Sequence, residues 1–135
     1  MIQMMNIMKT ITRKNKDLLL KDLCTRLPYG VKVQCLSHQI PLKILSINPN
    51  GVTWLTGDKG YPFEVDWKDC KPYLFPLSSM TRAQEREWQS LMVCDIYGIF
   101  YHTIESFDYL YKNHIDIRGL IPMCLANDAT GLNIY

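Results

Sequence analysis

The spacing of apolar residues predicts a helix near the start of the chain. Leu19, Leu20, Leu23 and Leu27 recur at helical spacing, so one face of a helix over residues 16–27 is apolar. We expect the charged residues of this segment to lie on the opposite, solvent-exposed face: Lys16, Asp17, Lys21, Asp22 and Arg26. Pro28 follows and ends the predicted helix, because proline has no backbone N–H and cannot continue the helical ladder.

Between residues 31 and 77 the apolar residues alternate with polar ones, as they do in half-buried strands. Turn sequences at 48–51 and 57–60 separate the strand-like segments. Pro72 and Pro76 flank residues 73–75, which we therefore expect to form an edge strand or an extended crossing segment. Four or five short strands joined by tight turns predict a small bent antiparallel sheet or an open SH3/OB-like barrel.

Residues 81–126 are predicted to be mainly helical. Thr81 and Gln84 form a capping-box pattern at the start of a helix that extends to about Met92. Its inward residues are expected to be Ala83, Trp88, Leu91 and Met92. Another helix is predicted from Thr103 to about Asn113, and a short final helix over 118–126. The pattern of 93–101 fits either a continued helix or a buried strand broken at Gly98, and we favour the strand.

These elements together predict an α+β fold with an N-terminal helix, a small bent antiparallel sheet or open SH3/OB-like barrel, and C-terminal helices. The chain of 135 residues suits a single α+β domain over 16–135, β-rich at 31–77 and helical at 81–126.

Four basic residues precede the first acid, Asp17, and we interpret residues 1–15 as a basic, flexible N-terminal arm. An ordinary solvated lead-in is the alternative.

Composition and charge make several classes of protein less favoured. The hydrophobic fraction of 47% and the charged fraction of 21% are typical of a globular chain rather than a disordered one. A net charge of +2 is small for a nucleic-acid-binding domain. No apolar run approaches the roughly eighteen residues that span a bilayer. The five cysteines form no C-x-x-C pair and follow no signal peptide, so we expect free thiols in a cytoplasmic protein with no membrane partner.

Common catalytic and cofactor motifs are absent from the sequence. It contains no G-x-S-x-G elbow, no P-loop and no pair of histidines at metal-ligand spacing. His102, His114 and Asp116 are the residues from which an enzymatic site assembled in space is conceivable, and ordinary surface histidines are the alternative. We therefore expect no cofactor, no metal ion and no catalysis.

Aromatic and basic residues provide the best candidate for a binding surface. The candidate ligand-binding residues are Trp54, Lys59, Tyr61, Trp67, Lys71, Tyr73 and Arg118. An aromatic row exposed beside the lysines would stack bases and hold phosphates. In the alternative arrangement the aromatics face the core, with Trp54 and Trp67 buried on adjacent strands. Arg118 either makes internal contacts, by capping backbone carbonyls or pairing with Asp116, or presents its guanidinium to a ligand.

Three segments, 21–31, 71–81 and 116–121, together with 125–129, carry a family resemblance. They resemble an uncharacterised protein family that is widespread in gut Bacteroides-type bacteria and in their phages and prophages. The likeness covers most of the chain from Lys16 on, whereas residues 37–67 are more individual. The family has no established activity, so the resemblance implies no catalytic residue. It implies a small protein of the bacterial host cytosol that is carried on mobile DNA.

The resemblance and the missing catalytic motifs together favour a function in binding. We expect a phage or mobile-element accessory protein, such as a counter-defence factor that sequesters a nucleotide signal or inhibits a host defence protein. One alternative is a nucleic-acid-binding module that uses the basic arm and the aromatic sheet face. Another is an enzyme with a spatially assembled site. A homo-oligomer is compatible with each of these hypotheses.

Overall fold

The N-terminal helix, α1, presents its leucines to the protein core. The structure, a computed structural model, describes residues 15–35, 38–48, 52–56 and 62–135, and α1 spans residues 15–26. Leu19 and Leu23 are buried, which confirms the predicted apolar stripe. A 3-10 turn, Leu27–Tyr29, follows the helix, so the predicted end before Pro28 is confirmed. Apart from Asn15, the predicted basic arm lies outside the described residues.

Six strands form one sheet, and the predicted α+β fold class is confirmed. The strands are β1 (Lys32–Cys35), β2 (His38–Ile47), β3 (Val52–Thr56), β4 (Pro62–Asp66), β5 (Cys70–Leu74) and β8 (Asn127–Asp128). Their order across the sheet is β4-β3-β2-β1-β5-β8. Neighbouring strands are antiparallel except β5 and β8, which are parallel. The register shifts where β2 pairs with β1 and with β3, and such bulges bend and twist a sheet.

The segment around Tyr73 is not the edge strand that its flanking prolines predict. β5 lies between β1 and β8, and it pairs with β8 at Tyr73 and Leu74. The sequence prediction is wrong here because β8 comes from near the end of the chain. No pattern local to Pro72 and Pro76 can indicate a partner strand so distant in sequence.

The main core lies between α1 and one face of the sheet. On β1 the buried residues are Val33 and Cys35, which alternate with the outward Lys32 and Gln34. The core also contains Leu19, Leu23, Val31, Leu42, Ile44, Leu55, Trp67, Cys70, Leu74, Leu120 and Ala126. Full burial of a leucine or valine side chain contributes about 1.5–3 kcal/mol, so this cluster is the main stabilising element of the fold.

Two short helices with matching caps form the C-terminal half. In α2 (Arg82–Ser90) the Thr81 hydroxyl accepts from the Gln84 N–H at 3.1 Å and the Gln84 side chain accepts from the Thr81 N–H at 2.9 Å, which confirms the capping box. The prediction for its inward face is wrong at Ala83, which is exposed. Only a small second core of Met80, Leu110 and Ile115 lies beneath this half. The third helix, α3 (Ile104–Lys112), is capped by Thr103 as predicted.

Residues 93–101 form an exposed hairpin instead of a buried strand. Its strands are β6 (Val93–Cys94) and β7 (Phe100–Tyr101), which pair antiparallel. Gly98 in the turn has a φ of 78°, a conformation that glycine adopts without strain. The extended conformation agrees with the sequence prediction, but the predicted burial is wrong because both strands are exposed.

The predicted final helix over 118–126 is wrong. This segment forms successive turns and leads into β8. The Asp116 carboxylate accepts hydrogen bonds from the N–H groups of Leu120 at 2.8 Å and Ile121 at 2.9 Å. Gly119 and Cys124 have φ angles of 72° and 61°, both outside the helical region. A carboxylate that accepts hydrogen bonds from successive amides competes with helix formation. The apolar spacing of this segment therefore predicted a helix that does not form.

Candidate functional site

The predicted ligand-binding residues do not converge on one surface. Trp54 lies on β3 opposite Ser46 and Glu64 and is partly exposed, whereas Trp67 and Tyr73 are buried. Trp67 belongs to a 3-10 turn rather than to a strand adjacent to Trp54. Lys59 and Tyr61 lie outside the described residues. The nucleic-acid hypothesis depends on the basic arm and the aromatic sheet face, parts of which lie outside the described residues, so it stays a prediction.

Arg118 makes internal contacts. Its Nε atom lies 3.4 Å from Asp22 Oδ1, and its Nη2 atom donates to the Tyr111 hydroxyl at 3.4 Å. Internal pairing was one of the two sequence hypotheses for Arg118, but the partner is Asp22 rather than Asp116. The Asp116 carboxylate is instead occupied by the two backbone amides that follow it.

The sequence predicts Asp22 and Arg26 on the solvent-exposed face of α1. This prediction is wrong, because both residues are fully buried. The Arg26 Nε atom donates to Asp22 Oδ2 at 2.7 Å, and the guanidinium lies 5.0 Å from the centre of the Tyr111 ring. Burial raises the pKa of Asp22, and the positive charge of Arg26 opposes that rise. Arg26 also donates to the Ile115 carbonyl, so this group ties α1 to the segment after α3.

An open cavity of about 470 Å³ lies where α1, the β1–β5 pair and the 124–125 turn meet. We call it the lysine-rimmed pocket. Its lining residues are Lys16, Leu19, Gln34, Cys35, Lys68, Asp69, Cys70, Lys71, Cys124 and Leu125. Lys71 is the predicted ligand-binding residue that lies in it. Sequence reasoning missed the pocket because its walls come from four separate parts of the chain.

The folding of one short segment places two of the three lysines. Asp66 accepts a hydrogen bond from the Lys68 N–H at 3.0 Å and so caps the 3-10 turn Trp67–Asp69. Trp67 is buried, which anchors the turn, and the Lys68 ammonium lies 5.8 Å from the centre of its ring. Lys71 follows on β5, opposite Gln34 of β1. The two lysines that closely follow Trp67 were the sequence feature that could have indicated this site.

The lining of the lysine-rimmed pocket combines charged and apolar residues. It includes three lysines, Lys16, Lys68 and Lys71, and one acidic residue, Asp69. Leu19, Leu125 and three cysteines line the same cavity. A lining of this kind favours a ligand that carries negative charge at one end and an apolar body at the other.

Cys70, one of the thiols that line this pocket, is not suited to nucleophilic catalysis. Burial raises the pKa of Cys70 to about 12, and neighbouring Cys35, Asp69 and Asp66 act in the same direction. The Cys70 thiol lies 3.8 Å from the Asp66 carbonyl oxygen, to which it donates. Because the thiolate is the reactive form, Cys70 is inert at neutral pH. The pocket can therefore hold a ligand but offers no activated sulfur at Cys70.

A second cavity, of about 500 Å³, lies beside His114 and includes Gln84, Lys112 and Tyr135. The His114 ring stacks on Tyr135, with ring centres 3.6 Å apart. Burial, assisted by the charges of Arg26 and Lys32, lowers the pKa of His114 to about 4. The imidazole is therefore neutral at pH 7.

The enzymatic alternative built on His102, His114 and Asp116 gains no support from their surroundings. His102 stacks on Phe107 with ring centres 4.6 Å apart, whereas His114 stacks on Tyr135. Asp116 binds backbone amides. Among the described residues, no group of three histidine, cysteine or acidic side chains is placed to hold a metal ion.

Comparisons with known proteins add no relative from which a function could be transferred. The chain shows no match to a protein-family model, to a curated protein or to a solved structure. The resemblance to a family of Bacteroides-type bacteria and phages therefore stays a prediction. No helix in the described part of the chain is long and apolar enough to cross a membrane. The lysine-rimmed pocket is the feature on which a function can be argued.

Proposed function

We propose that the protein acts by binding a small organic anion in the lysine-rimmed pocket. The observation that carries the proposal is that three lysines, a single acidic residue and two leucines line one cavity. The volume of about 470 Å³ falls within the usual range for small-molecule sites. The high pKa of Cys70 favours binding over covalent chemistry at that residue.

A nucleotide is the ligand class that we favour. Its phosphate would contact the ammonium groups, and its base would lie against Leu19 and Leu125. Lysine is a compact, mobile cation and binds phosphate without requiring one fixed geometry. In the mobile-element setting that the family resemblance implies, such a protein would sequester a nucleotide signal. Trp54 and Arg118, by contrast, have no part in this site.

Isothermal titration calorimetry of the full chain with adenosine monophosphate tests the proposal. Adenosine is the matched ligand control, because it keeps the base and sugar but lacks the charge. We expect adenosine monophosphate to bind and adenosine to bind at least about tenfold more weakly, a difference of roughly 1.4 kcal/mol. Octanoate serves as a second anionic probe, and binding of octanoate alone would contradict the nucleotide assignment.

Charge-reversal variants test whether adenosine monophosphate binds in the lysine-rimmed pocket. The double variant Lys68→Glu/Lys71→Glu is expected to weaken binding of adenosine monophosphate by about tenfold or more, since each lysine–phosphate contact contributes on the order of 1 kcal/mol. Lys21→Glu is the matched control, because Lys21 is exposed on α1 and does not line the pocket. Failure of both anionic probes to bind, or equal losses in the double variant and the control, would overturn the proposal.

A further inference from the structure

The hairpin between α2 and α3 exposes an unusual amount of apolar surface. We call this surface the hairpin patch. Its large apolar residues are Val93, Ile96, Tyr97, Ile99, Phe100, Tyr101, Ile104 and Phe107. Ile96 and Tyr97, at the turn, are 92% and 82% exposed. Val93 and Tyr101 oppose one another in the hairpin, and so do Cys94 and Phe100. All four of these residues are exposed, so the hairpin projects from the described body of the protein.

The size of the hairpin patch matches that of a stable protein interface. The exposed fractions of its eight large apolar residues are equivalent to about five fully exposed residues, or on the order of 900 Å². The largest apolar patch on a typical monomer is about 300–600 Å². A standard interface buries about 800 Å² on each partner. Because Phe100 and Tyr101 are neighbours on one strand, this exposed area covers both faces of the hairpin. A partner that encloses the hairpin would therefore bury about the area of one standard interface.

The small number of charged residues in the hairpin limits the classes of partner that the hairpin patch could bind. Between Val93 and Phe107 the Asp, Glu, Lys and Arg residues are only Asp95 and Glu105. Asp95 lies in the hairpin itself. Its carboxylate accepts from the N–H groups of Tyr97 and Ile99 at 2.9 Å and from the Tyr101 hydroxyl at 3.0 Å. A carboxylate with three donors can be covered with less desolvation penalty than a bare one. The hairpin therefore offers no charge pattern for a nucleic acid or a strongly charged protein.

The strand edges favour pairing with an identical chain. β6 and β7 form a two-stranded sheet, and within the described part of the chain neither strand has a second neighbour. Each strand has only two residues, which limits how far its edge can pair, but neither strand carries a lysine or a proline that would block pairing. Two copies related by a twofold axis can pair such edges and cover both patches in one closed interface.

We propose that the hairpin patch is the interface of a homodimer of this chain. A second copy brings an equally uncharged and equally large apolar surface, and homodimer interfaces are more apolar than transient ones. Closure around a twofold axis also removes the exposed patch from both copies, which a head-to-tail contact does not. The lysine-rimmed pocket shares no residue with this surface, so dimerisation and anion binding are separable.

Sedimentation-velocity ultracentrifugation of the full chain across the micromolar range tests the interface. We expect a concentration-dependent species of twice the chain mass of 15.8 kDa. The double variant Ile96→Lys/Tyr97→Lys is expected to stay monomeric throughout that range. These side chains are the most exposed of the patch, so the variant should keep the circular dichroism spectrum of the wild type. Ile104→Lys, on α3 beside the hairpin, is a second variant with the same expected result.

Leu77→Lys is the matched control, because Leu77 is an exposed leucine outside the patch and should leave the dimer intact. Hydrogen exchange of the amides in 93–101 should slow as concentration rises. A wild-type chain that stays monomeric throughout would overturn the proposal, and it would leave another apolar protein as the occupant. A dimer that persists in both hairpin variants, or that the control variant also abolishes, would overturn it equally.

Discussion

Arg26 donates from Nε to Asp22 Oδ2 at 2.7 Å, and both side chains are fully buried one turn apart on α1. A buried ion pair is costly to break, because the remaining charge has no solvent around it. Arg26→Met should therefore lower the free energy of unfolding by about 3–5 kcal/mol, measured by urea denaturation. Arg86→Met, at an exposed arginine of α2, should change it by less than about 0.5 kcal/mol.

A double variant at Asp22 and Arg26 distinguishes the effect of breaking the ion pair from the effect of losing the packing of the Arg26 side chain. Asp22→Leu/Arg26→Met removes both charges and should be more stable than Arg26→Met alone, since no buried carboxylate is left with Arg118, 3.4 Å away, as its remaining cationic partner. A double variant that is as unstable as the single variant would show that the arginine acts through packing rather than through its charge.

His114 should make the protein less stable in mild acid. Its pKa is lowered from 6.5 to about 4 in the folded protein. Below pH 6.5 the unfolded chain binds a proton there, whereas the folded protein does not until about pH 4. Stability contributed by the neutral imidazole is thus complete above pH 6.5 and is lost as pH falls toward 4, by up to about 3 kcal/mol.

His114→Asn tests this pH dependence. Asparagine tolerates the positive φ of 59° at this position and does not titrate. The variant should show a smaller loss of unfolding free energy between pH 7 and pH 4.5 than the wild type, whatever its absolute stability. Equal slopes in the wild type and His114→Asn would contradict the assignment.

The cysteines should divide into two reactivity classes. Cys24, Cys94 and Cys124 are exposed, whereas Cys35 and Cys70 are buried. With Ellman's reagent at pH 8, three thiols per chain should react rapidly and two only after unfolding. The pKa of about 12 at Cys70 adds a chemical barrier to the steric one. Rapid reaction of Cys70, located by peptide mass spectrometry, would contradict the description of this thiol as inert.

Local features of the chain could be predicted from the sequence. The caps at Thr81 and Thr103 depend on residues within one helical turn, so their patterns identify both helix starts. The leucine stripe of α1 similarly indicated its buried face. The prediction failed where the partner lies far away in sequence. β8 converts β5 from an edge strand to an inner strand, and Asp116 converts an apolar segment into turns.

The same distinction explains what was missed in the site. Lys71 was predicted as a ligand-binding residue, but Lys16, Gln34 and Leu125 join it only through the packing of α1 and the C-terminal turns onto the sheet. Aromatic density in the β-rich half gave no information on orientation, and Trp67 is buried rather than available for stacking. The charged residues of α1 did not indicate which of them are buried, since a buried ion pair and an exposed ion pair have the same spacing along a helix.

The central claim, that the lysine-rimmed pocket binds a small organic anion, is tested most directly by an NMR titration of the full chain with adenosine monophosphate. The backbone amides of Gln34, Lys68, Lys71 and Leu125 should shift in proportion to occupancy, and those of the hairpin patch should not. Adenosine at the same concentrations should produce much smaller shifts. Unchanged amides around the pocket, or shifts confined to another surface, would contradict the account.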